Sequence, residues 1–321
     1  MGESLSYFGS FFRRVLNPVD RLFDTFKKKS ISIIICVYNG DSYLRECLES
    51  VKKQSLPNLE ILCVDDGSTD NSSSIIQEFC FSDIRFKLIK NVCNQGPAVS
   101  RNKALALARG EYVQFLDADD YLVQNACEVL YNYSGGRNLD MLSFSGFNFD
   151  VNGVYENNYW NFTCLPDWWE KECFAFEDCK SFVAKMAVSS CLTIYKKSFI
   201  KKHDILFPEG LFFEDNFFFC KAIINAKKIA ILKNKLYMRR VHDASITQNW
   251  DRHFLDFVRV ATLILDFLIV TNIEENVIEQ YKKSFVNCIF RHMKIFPKHV
   301  KKTYVAEVNN FFTMFNIPKQ L

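Results

Sequence analysis

From Ser30 onward, short apolar runs alternate with stretches whose apolar residues recur every three or four positions. Ile31 to Val37 is a β-branched run bounded by turn residues, the pattern of a strand buried on both faces. Leu44, Cys47, Leu48 and Val51 then follow at the spacing of one helical face, with Asp41 or Ser42 in position to cap it. Leu59 to Val64 predicts a second strand, followed by a helix through Ile75, Ile76 and Phe79. Phe86 to Ile89 predicts a third strand, and Gly96-Pro97 opens an alanine-rich helix. Glu111 to Leu116 predicts a fourth. This alternation predicts an α/β fold: a Rossmann-like, mostly parallel sheet flanked by helices.

The remaining pattern is less regular. Asp140 to Gly146 reads as a strand, and Glu214 to Ala226 as a helix that begins with two acids. Ile229 to Leu232 and Leu236 to Arg240 read as two short strands. Asn148 to Trp169, rich in Asn, Trp and Tyr, reads as loop or lid. Helices from about Phe254, Glu274 and Val300 form a helical C-terminal extension.

Parallel sheets of this kind bind ligands beyond the carboxyl ends of their strands. Four polar clusters fall there: Tyr38-Asn39, Asp65-Asp66-Gly67, Asn94-Gln95-Gly96 and Asp117-Ala118-Asp119-Asp120. Acids two apart on a turn, as at Asp117 and Asp119, can approach one hard cation together with phosphate oxygens. An Asp at the second cluster can accept the imide N–H of a pyrimidine, and Tyr38 can stack on a base. Two plainer readings stay open. Asp65 or Asp66 with Ser68 can simply hold the turn, and Asp70 or Ser72 can cap the next helix.

Composition removes several classes. The formal charge is +3, from 40 basic and 37 acidic residues, so no global field favours nucleic acid. The 12 cysteines contain no C-x-x-C pair, and many sit in apolar runs. That suits buried thiols in a reducing compartment rather than disulfides or zinc. Phe254 to Val270 is interrupted by Asp256, Arg259 and Asp266, which argues against a membrane span. The first residues lack the basic-then-apolar pattern of a secretory signal, so a cytoplasmic protein is expected.

Residues 1–29 stand apart. Leu5, Phe8, Phe12, Val15, Leu16, Val19, Leu22, Phe23 and Phe26 recur at helical spacing, interrupted by Pro18 and flanked by Arg13, Arg14, Arg21 and Lys27-Lys28-Lys29. Such a segment either lies on an anionic membrane surface, at its inner face, or packs on its own protein; both readings are open.

The stretch from Ser30 to Tyr121 resembles glycosyltransferase family 2, the large inverting group of the GT-A fold. The resemblance is carried by Cys36-Val37-Tyr38-Asn39, Val64-Asp65-Asp66-Gly67-Ser68-Thr69-Asp70, Asn94-Gln95-Gly96-Pro97-Ala98-Val99-Ser100-Arg101-Asn102 and Phe115-Leu116-Asp117-Ala118-Asp119-Asp120. Cys36 where the family often has Pro, and Ser100 where Ala is usual, are mild departures. The resemblance implies a nucleotide-diphosphate sugar donor, usually of uridine, and a divalent metal, Mn²⁺ or Mg²⁺. It also implies roles. Val37, Tyr38, Asn39, Asp66, Arg101, Asp117 and Ala118 would contact the nucleotide, with Tyr38 and Asp66 at the base, and Asp119 would ligate the metal. Arg101 would face the nucleotide or brace the acidic loop.

Glu214-Asp215 looks like the family's E-D motif, which makes Asp215 the general base; two acids opening a helix also suit its macrodipole without any catalytic role. The segment Arg239 to Thr247 resembles the one that closes the site in many relatives. It offers His242 as a second metal contact and Arg240 as a phosphate contact. Trp160, Trp168 and Trp169 are candidates to stack on a sugar, or plain packing residues. The implied division is a basic segment at 1–29, a nucleotide-sugar subdomain at 30–122, an acceptor and base subdomain at 123–249, and a helical region at 250–321. The implied acceptor is a glycan or lipid-linked glycan. Two other classes fit the sequence less well. A nucleotidyltransferase would want a glycine-rich, basic loop after the first strand, which Val37-Tyr38-Asn39-Gly40-Asp41 is not. A decayed binding module would have lost Asp119 or Asp215, and both are present.

Overall fold

The structure is a computed structural model that describes residues 29–156, 173–186, 188–242, 250–295 and 298–318. The basic segment before Lys29, the three tryptophans at Trp160, Trp168 and Trp169, and the stretch Asp243 to Thr247 lie outside the described residues.

Strands β1 (Lys29–Val37), β2 (Leu59–Asp65), β3 (Phe86–Lys90) and β4 (Gly110–Asp117) form a parallel block with β1 between β2 and β4. Every residue of β2 is buried, and Ile31, Ile33, Ile34 and Ile35 of β1 are likewise inaccessible. Helices cover both faces of this block, so both sets of alternating side chains must be apolar. The helices are α1 (Asp41–Lys52), α2 (Ser72–Ser82) and α3 (Pro97–Leu107), each crossing over between parallel strands.

Beyond β4 the sheet continues as β8 (Thr193–Lys196), β6 (Met141–Asp150), β9 (Ile229–Arg240) and the short β5 (Tyr121–Leu122), with β7 (Gly153–Tyr155) on β6. The β4–β8, β8–β6 and β9–β5 pairs are antiparallel, while the longest pairing, β6 with β9, is parallel. The expected pair of short strands at 229–240 is one strand. Its polar middle, Lys233-Asn234-Lys235, coincides with a register shift opposite Phe144, Ser145 and Gly146, so the ladder bulges and resumes. A Cβ on Gly146 would lie 2.7 Å from the Tyr237 carbonyl oxygen, so the strands approach this closely only with glycine there.

The predicted cap of α1 also differs. Asp41 is the first helical residue, and the free N–H groups are satisfied from the next loop. Asp70 Oδ2 accepts the Asp41 N–H at 3.0 Å, and Ser72 Oγ accepts that of Gly40 at 3.0 Å. Asp70 Oδ1 also accepts the Ser72 N–H, so one carboxylate serves two helix starts. Gly67, at φ +75°, crosses the neighbouring loop so closely that a Cβ would sit 2.7 Å from the Cys93 carbonyl carbon.

At the opposite end of the sheet, buried Glu60 accepts from Ser32 Oγ (2.7 Å), Lys87 Nζ (2.6 Å) and the Arg109 N–H (2.7 Å). Burial would raise its pKa, but these donors outweigh it and hold the carboxyl below its ordinary value.

Helices α4 (Ala126–Arg137), α5 (Phe176–Cys179), α6 (Lys197–Lys202) and α7 (Glu214–Asn225) precede a C-terminal group: α8 (Trp250–Val270), α9 (Glu275–Ile295) and α10 (Lys298–Met314). On α8, Phe254, Val258, Ala261, Leu265 and Leu268 are buried at helical spacing. One continuous cluster of buried side chains runs from Ile31 to Phe315. No helix among the described residues is long and apolar enough to cross a membrane.

Candidate active site

A cavity of about 760 Å³ opens at the carboxyl ends of β1, β2 and β4 and is closed on the far side by α7 and β9. Val37, Tyr38, Asn39, Asp66, Arg101, Asp117, Ala118, Asp119, Asp215 and His242 all line it. Those ten residues span the chain from the first strand to the end of the ninth, so only the tertiary fold assembles them.

On the donor side, Tyr38 is 50 % exposed and lines the cavity. Asn39, in the left-handed region at φ 48°, ties two strand-end loops together: its Oδ1 accepts the Thr69 N–H at 2.8 Å, and its own N–H donates to Ser68 Oγ at 3.1 Å. The two aspartates after β2 divide the alternatives left open by the sequence. Asp65 holds the turn by accepting the Ser68 N–H. Asp66 is only 3 % exposed; Oδ1 accepts from Asn91 Nδ2 (2.7 Å) and the Gln95 N–H (3.0 Å), and Oδ2 from the Gly96 N–H (2.8 Å). Oδ2 has capacity for a further donor, and Asp66 lines the cavity.

The acidic loop after β4 is held from β9. Asp120 is 4 % exposed, accepts the Tyr237 hydroxyl at 2.6 Å and the Arg240 N–H at 2.7 Å, and its carboxyl is pushed well up by burial and by the charges of Asp119 and Asp117. The Arg240 guanidinium donates to the Asp119 carbonyl (3.0 Å) and to Glu46, and stacks 4.5 Å above the Tyr43 ring. It is therefore engaged in fastening the loop. Neither Asp120 nor Tyr237 carries a sequence signal beyond membership in an acidic run and an apolar strand.

Asp119 and His242 meet across the cavity, with Nε2 2.9 Å from Oδ2 and the imidazole 4.9 Å from the Tyr43 ring. An oxygen donor and an imidazole nitrogen at one cavity wall suit Mg²⁺ or Mn²⁺, which take few protein ligands and complete their shell with phosphate oxygens and water. Among the described residues, no group of three or more His, Cys, Asp or Glu side chains is placed to hold a metal by itself. The pair thus fits an ion shared with a phosphate ligand and not an all-protein cage.

On the other wall, Phe213 adopts φ 63°, unusual for a bulky side chain, and starts α7. The turn brings Glu214 and Asp215 to the cavity. Glu214 is buried and paired with Arg101, whose other arm donates to Asp117 Oδ1 at 3.1 Å. Asp215 is partly exposed and accepts from Asn216 Nδ2 at 3.1 Å; burial, then the Glu214 charge, push its carboxyl up to about 7. A carboxylate with that affinity for protons is suited to take one from a hydroxyl at neutral pH.

Cys36 and Cys191 also line the cavity, but burial pushes Cys36 up to about 12 and Cys191 well above its ordinary value. Neither is a thiolate nucleophile at neutral pH. The fold, the strand-end cavity and the acidic loop together match a known family. A model of glycosyl transferase family 2 matches residues 32–204.

The chain belongs to that family.

EpsH of Bacillus subtilis is 31% identical over 83% of this chain and 76% of its own length. The crystal structure of Staphylococcus aureus TarS 1-349 in complex with UDP-GlcNAc superposes with a TM-score of 0.71 at 25% identity, covering 90% of this chain and 82% of that one. A mannosyltransferase of Pyrobaculum calidifontis, in complex with GDP-Man and Mn²⁺, shares the fold at a TM-score of 0.57, 14% identity, and 98% and 90% coverage. The protein is a glycosyltransferase of the GT-A fold, and sugar transfer from a nucleotide sugar is the activity its relatives support.

Proposed function

We propose that this chain is an inverting glycosyltransferase that moves a hexosyl or N-acetylhexosaminyl unit from a UDP-sugar to a hydroxyl of a glycan or lipid-linked acceptor, in assembly of a surface polysaccharide or lipooligosaccharide. The observation that carries the reading is Asp215, a carboxylate with a raised pKa that faces, across one cavity, the acids of the parallel block. Residues 30–122 supply the donor seat, 123–249 the acceptor side and base, and 250–321 the helical backing of α7. Residues 1–29 supply a basic amphipathic segment that either lies on the anionic inner face of the membrane or packs on the protein, and the enzyme is cytoplasmic.

In this reading the base lies between Tyr38, which stacks on it, and Asp66, whose remaining lone pair accepts its imide N–H. Val37, Asn39 and Ala118 shape the nucleotide's seat, and Asp117 reaches the ribose. Asp119, with His242, would hold a divalent cation against the diphosphate. That ion would supply Lewis-acid neutralisation of the charge that develops on the leaving group. Asp215 takes the proton of the acceptor hydroxyl as its oxygen bonds to the anomeric carbon. The bond from that carbon to the diphosphate oxygen breaks, its electron pair leaves with the nucleoside diphosphate, and Asp215 is left protonated. One displacement inverts the anomeric centre and needs no covalent enzyme intermediate.

The test is a screen of sugar nucleotides for Mn²⁺-dependent turnover, then proton NMR of the product made from the preferred donor and a glycan acceptor. An α-linked donor should yield a β-linked product. Retention of the donor's configuration would refute single displacement by Asp215.

A further inference from the structure

The donor side and the base come from distant parts of the chain, yet α3 touches both. Its N-terminus is docked on Asp66, which accepts the Gln95 and Gly96 N–H groups. Two adjacent residues farther along α3 reach the base-bearing segment. Asn102 forms a two-bond clamp with the Phe207 backbone, donating to its carbonyl at 2.9 Å and accepting its N–H at 3.0 Å. Arg101 bonds Asp117 with one arm and Glu214 with the other, and its guanidinium lies 5.3 Å from the Phe207 ring centre. Phe207 in turn is stacked on Phe218 of α7 at 4.0 Å and 11°. The helix that seats Asp66 therefore also grips the helix that carries Asp215 at its Glu214 start and at its Phe218 face.

We propose that Arg101 is a positioning residue for the transfer step: by joining Asp117 to Glu214 from a helix docked on Asp66, it sets the distance and orientation between the donor seat and the base. The proposal rests on Asp215 being that base. It assigns Arg101 a role beyond contact with the nucleotide, since one N–H on each arm is already given to a carboxylate.

The charged and titratable groups that face Asp215 are Glu214 on its own helix, Arg101 from α3, Asp117 at the end of β4 and Tyr195 of β8. Arg101 is the cation among them. Removing it favours the protonated carboxyl, and removing the Glu214 charge favours the carboxylate. A residue with a merely structural role would not move a pH profile in opposite directions through these two changes.

The experiment measures kcat, donor KM and the acidic limb of the pH–rate profile in the full-length enzyme. The variants are Arg101→Met, Arg101→Lys, Glu214→Gln, the Arg101→Met/Glu214→Gln pair and Asp215→Asn. Misplacement on the order of an ångström predicts that Arg101→Met lowers kcat about 100-fold with donor KM changed less than about 3-fold. Arg101→Lys, which cannot span two carboxylates in one plane, should fall between it and the wild type. The acidic limb should move up by about one pH unit in Arg101→Met and down by about as much in Glu214→Gln, and return in the double variant. If Arg101→Met does not fold, Arg101→Lys decides: a lowered kcat at nearly constant donor KM supports the role, and a wild-type kcat overturns it. A donor KM that rises in step with the loss of activity, or limbs that stay in place, would overturn the role of Arg101. Asp215→Asn separates the two layers. If it is inactive and the limbs do not move, only the Arg101 proposal fails; if it turns over normally, the base assignment fails and takes the proposal with it.

Discussion

The acidic loop that ends β4 depends on a buried hydroxyl contributed from β9, and Tyr237→Phe removes that atom alone. Tyr237 is 3 % exposed. Asp120 loses the donor at 2.6 Å and keeps only the Arg240 N–H at 2.7 Å. A hydrogen bond contributes about 0.5–1.5 kcal/mol, and a buried acceptor left without its partner costs about 1–3 kcal/mol of desolvation as well. At about 2.1 cal/mol/K of unfolding entropy per residue, a chain of 321 residues has a total near 0.7 kcal/mol/K. A loss of 2–3 kcal/mol then lowers Tm by about 3–5 °C. The assay is thermal unfolding of Tyr237→Phe, Asp120→Asn and the double variant, which form a cycle. Asn at 120 has one acceptor oxygen in place of two and loses less when the hydroxyl goes, so the coupling between the two sites should be at least about 1 kcal/mol. A Tyr237→Phe protein that melts within 1 °C of the wild type, or changes that simply add, would show that the Tyr237 hydroxyl does not hold the loop.

The other predictions concern the base, the sheet and one turn. Asp215→Asn should lower transfer by about 10²–10⁴-fold while calorimetry finds UDP binding unchanged. With its carboxyl at about 7, kcat/KM should rise with pH through that value, since only the deprotonated form accepts a proton. The same shift has a stability sign. The folded state holds this proton where the unfolded chain, near 4, has released it, so folding loses stability between about pH 4 and 7 and Asp215→Asn should recover it above 7, as read by urea titration at two pH values. Glu60→Ala takes the acceptor from the half-exposed Lys87 ammonium and from the Arg109 N–H, and should lower unfolding free energy by about 1–3 kcal/mol. The wild-type contribution of Glu60 should fade as pH falls through its depressed pKa, because its carboxyl is held below the ordinary range. Gly67→Ala combines a left-handed backbone with a Cβ 2.7 Å from Cys93, and chemical denaturation should find a loss of at least about 2 kcal/mol.

Much of the donor side was legible because the information there is local. A buried strand, a polar turn at its carboxyl end and a capped helix repeat within short windows, and the position of Asp66, Asp117 and Asp119 at strand ends follows from that pattern alone. Local reading was weaker where partners come from elsewhere. The α1 cap was expected from Asp41 or Ser42 and is supplied by Asp70 and Ser72, because an N–H group takes whichever acceptor the fold brings near. The strand at 229–240 reads as two because its polar middle breaks the apolar pattern, whereas backbone pairing with β6 does not depend on side-chain polarity.

By itself, then, the sequence determined the strand-and-helix order, the parallel block and the acids at its edge, since periodicity and turn chemistry act between near neighbours. Only the tertiary structure decided which aspartate does what. Asp65 holds a turn, Asp66 opens to the cavity, Asp120 is latched to Tyr237, and Asp215 is desolvated beside Glu214 until its proton affinity rises. Identical side chains acquire different chemistry from burial and from donors that for Asp120 lie more than a hundred residues away, and no local window records either.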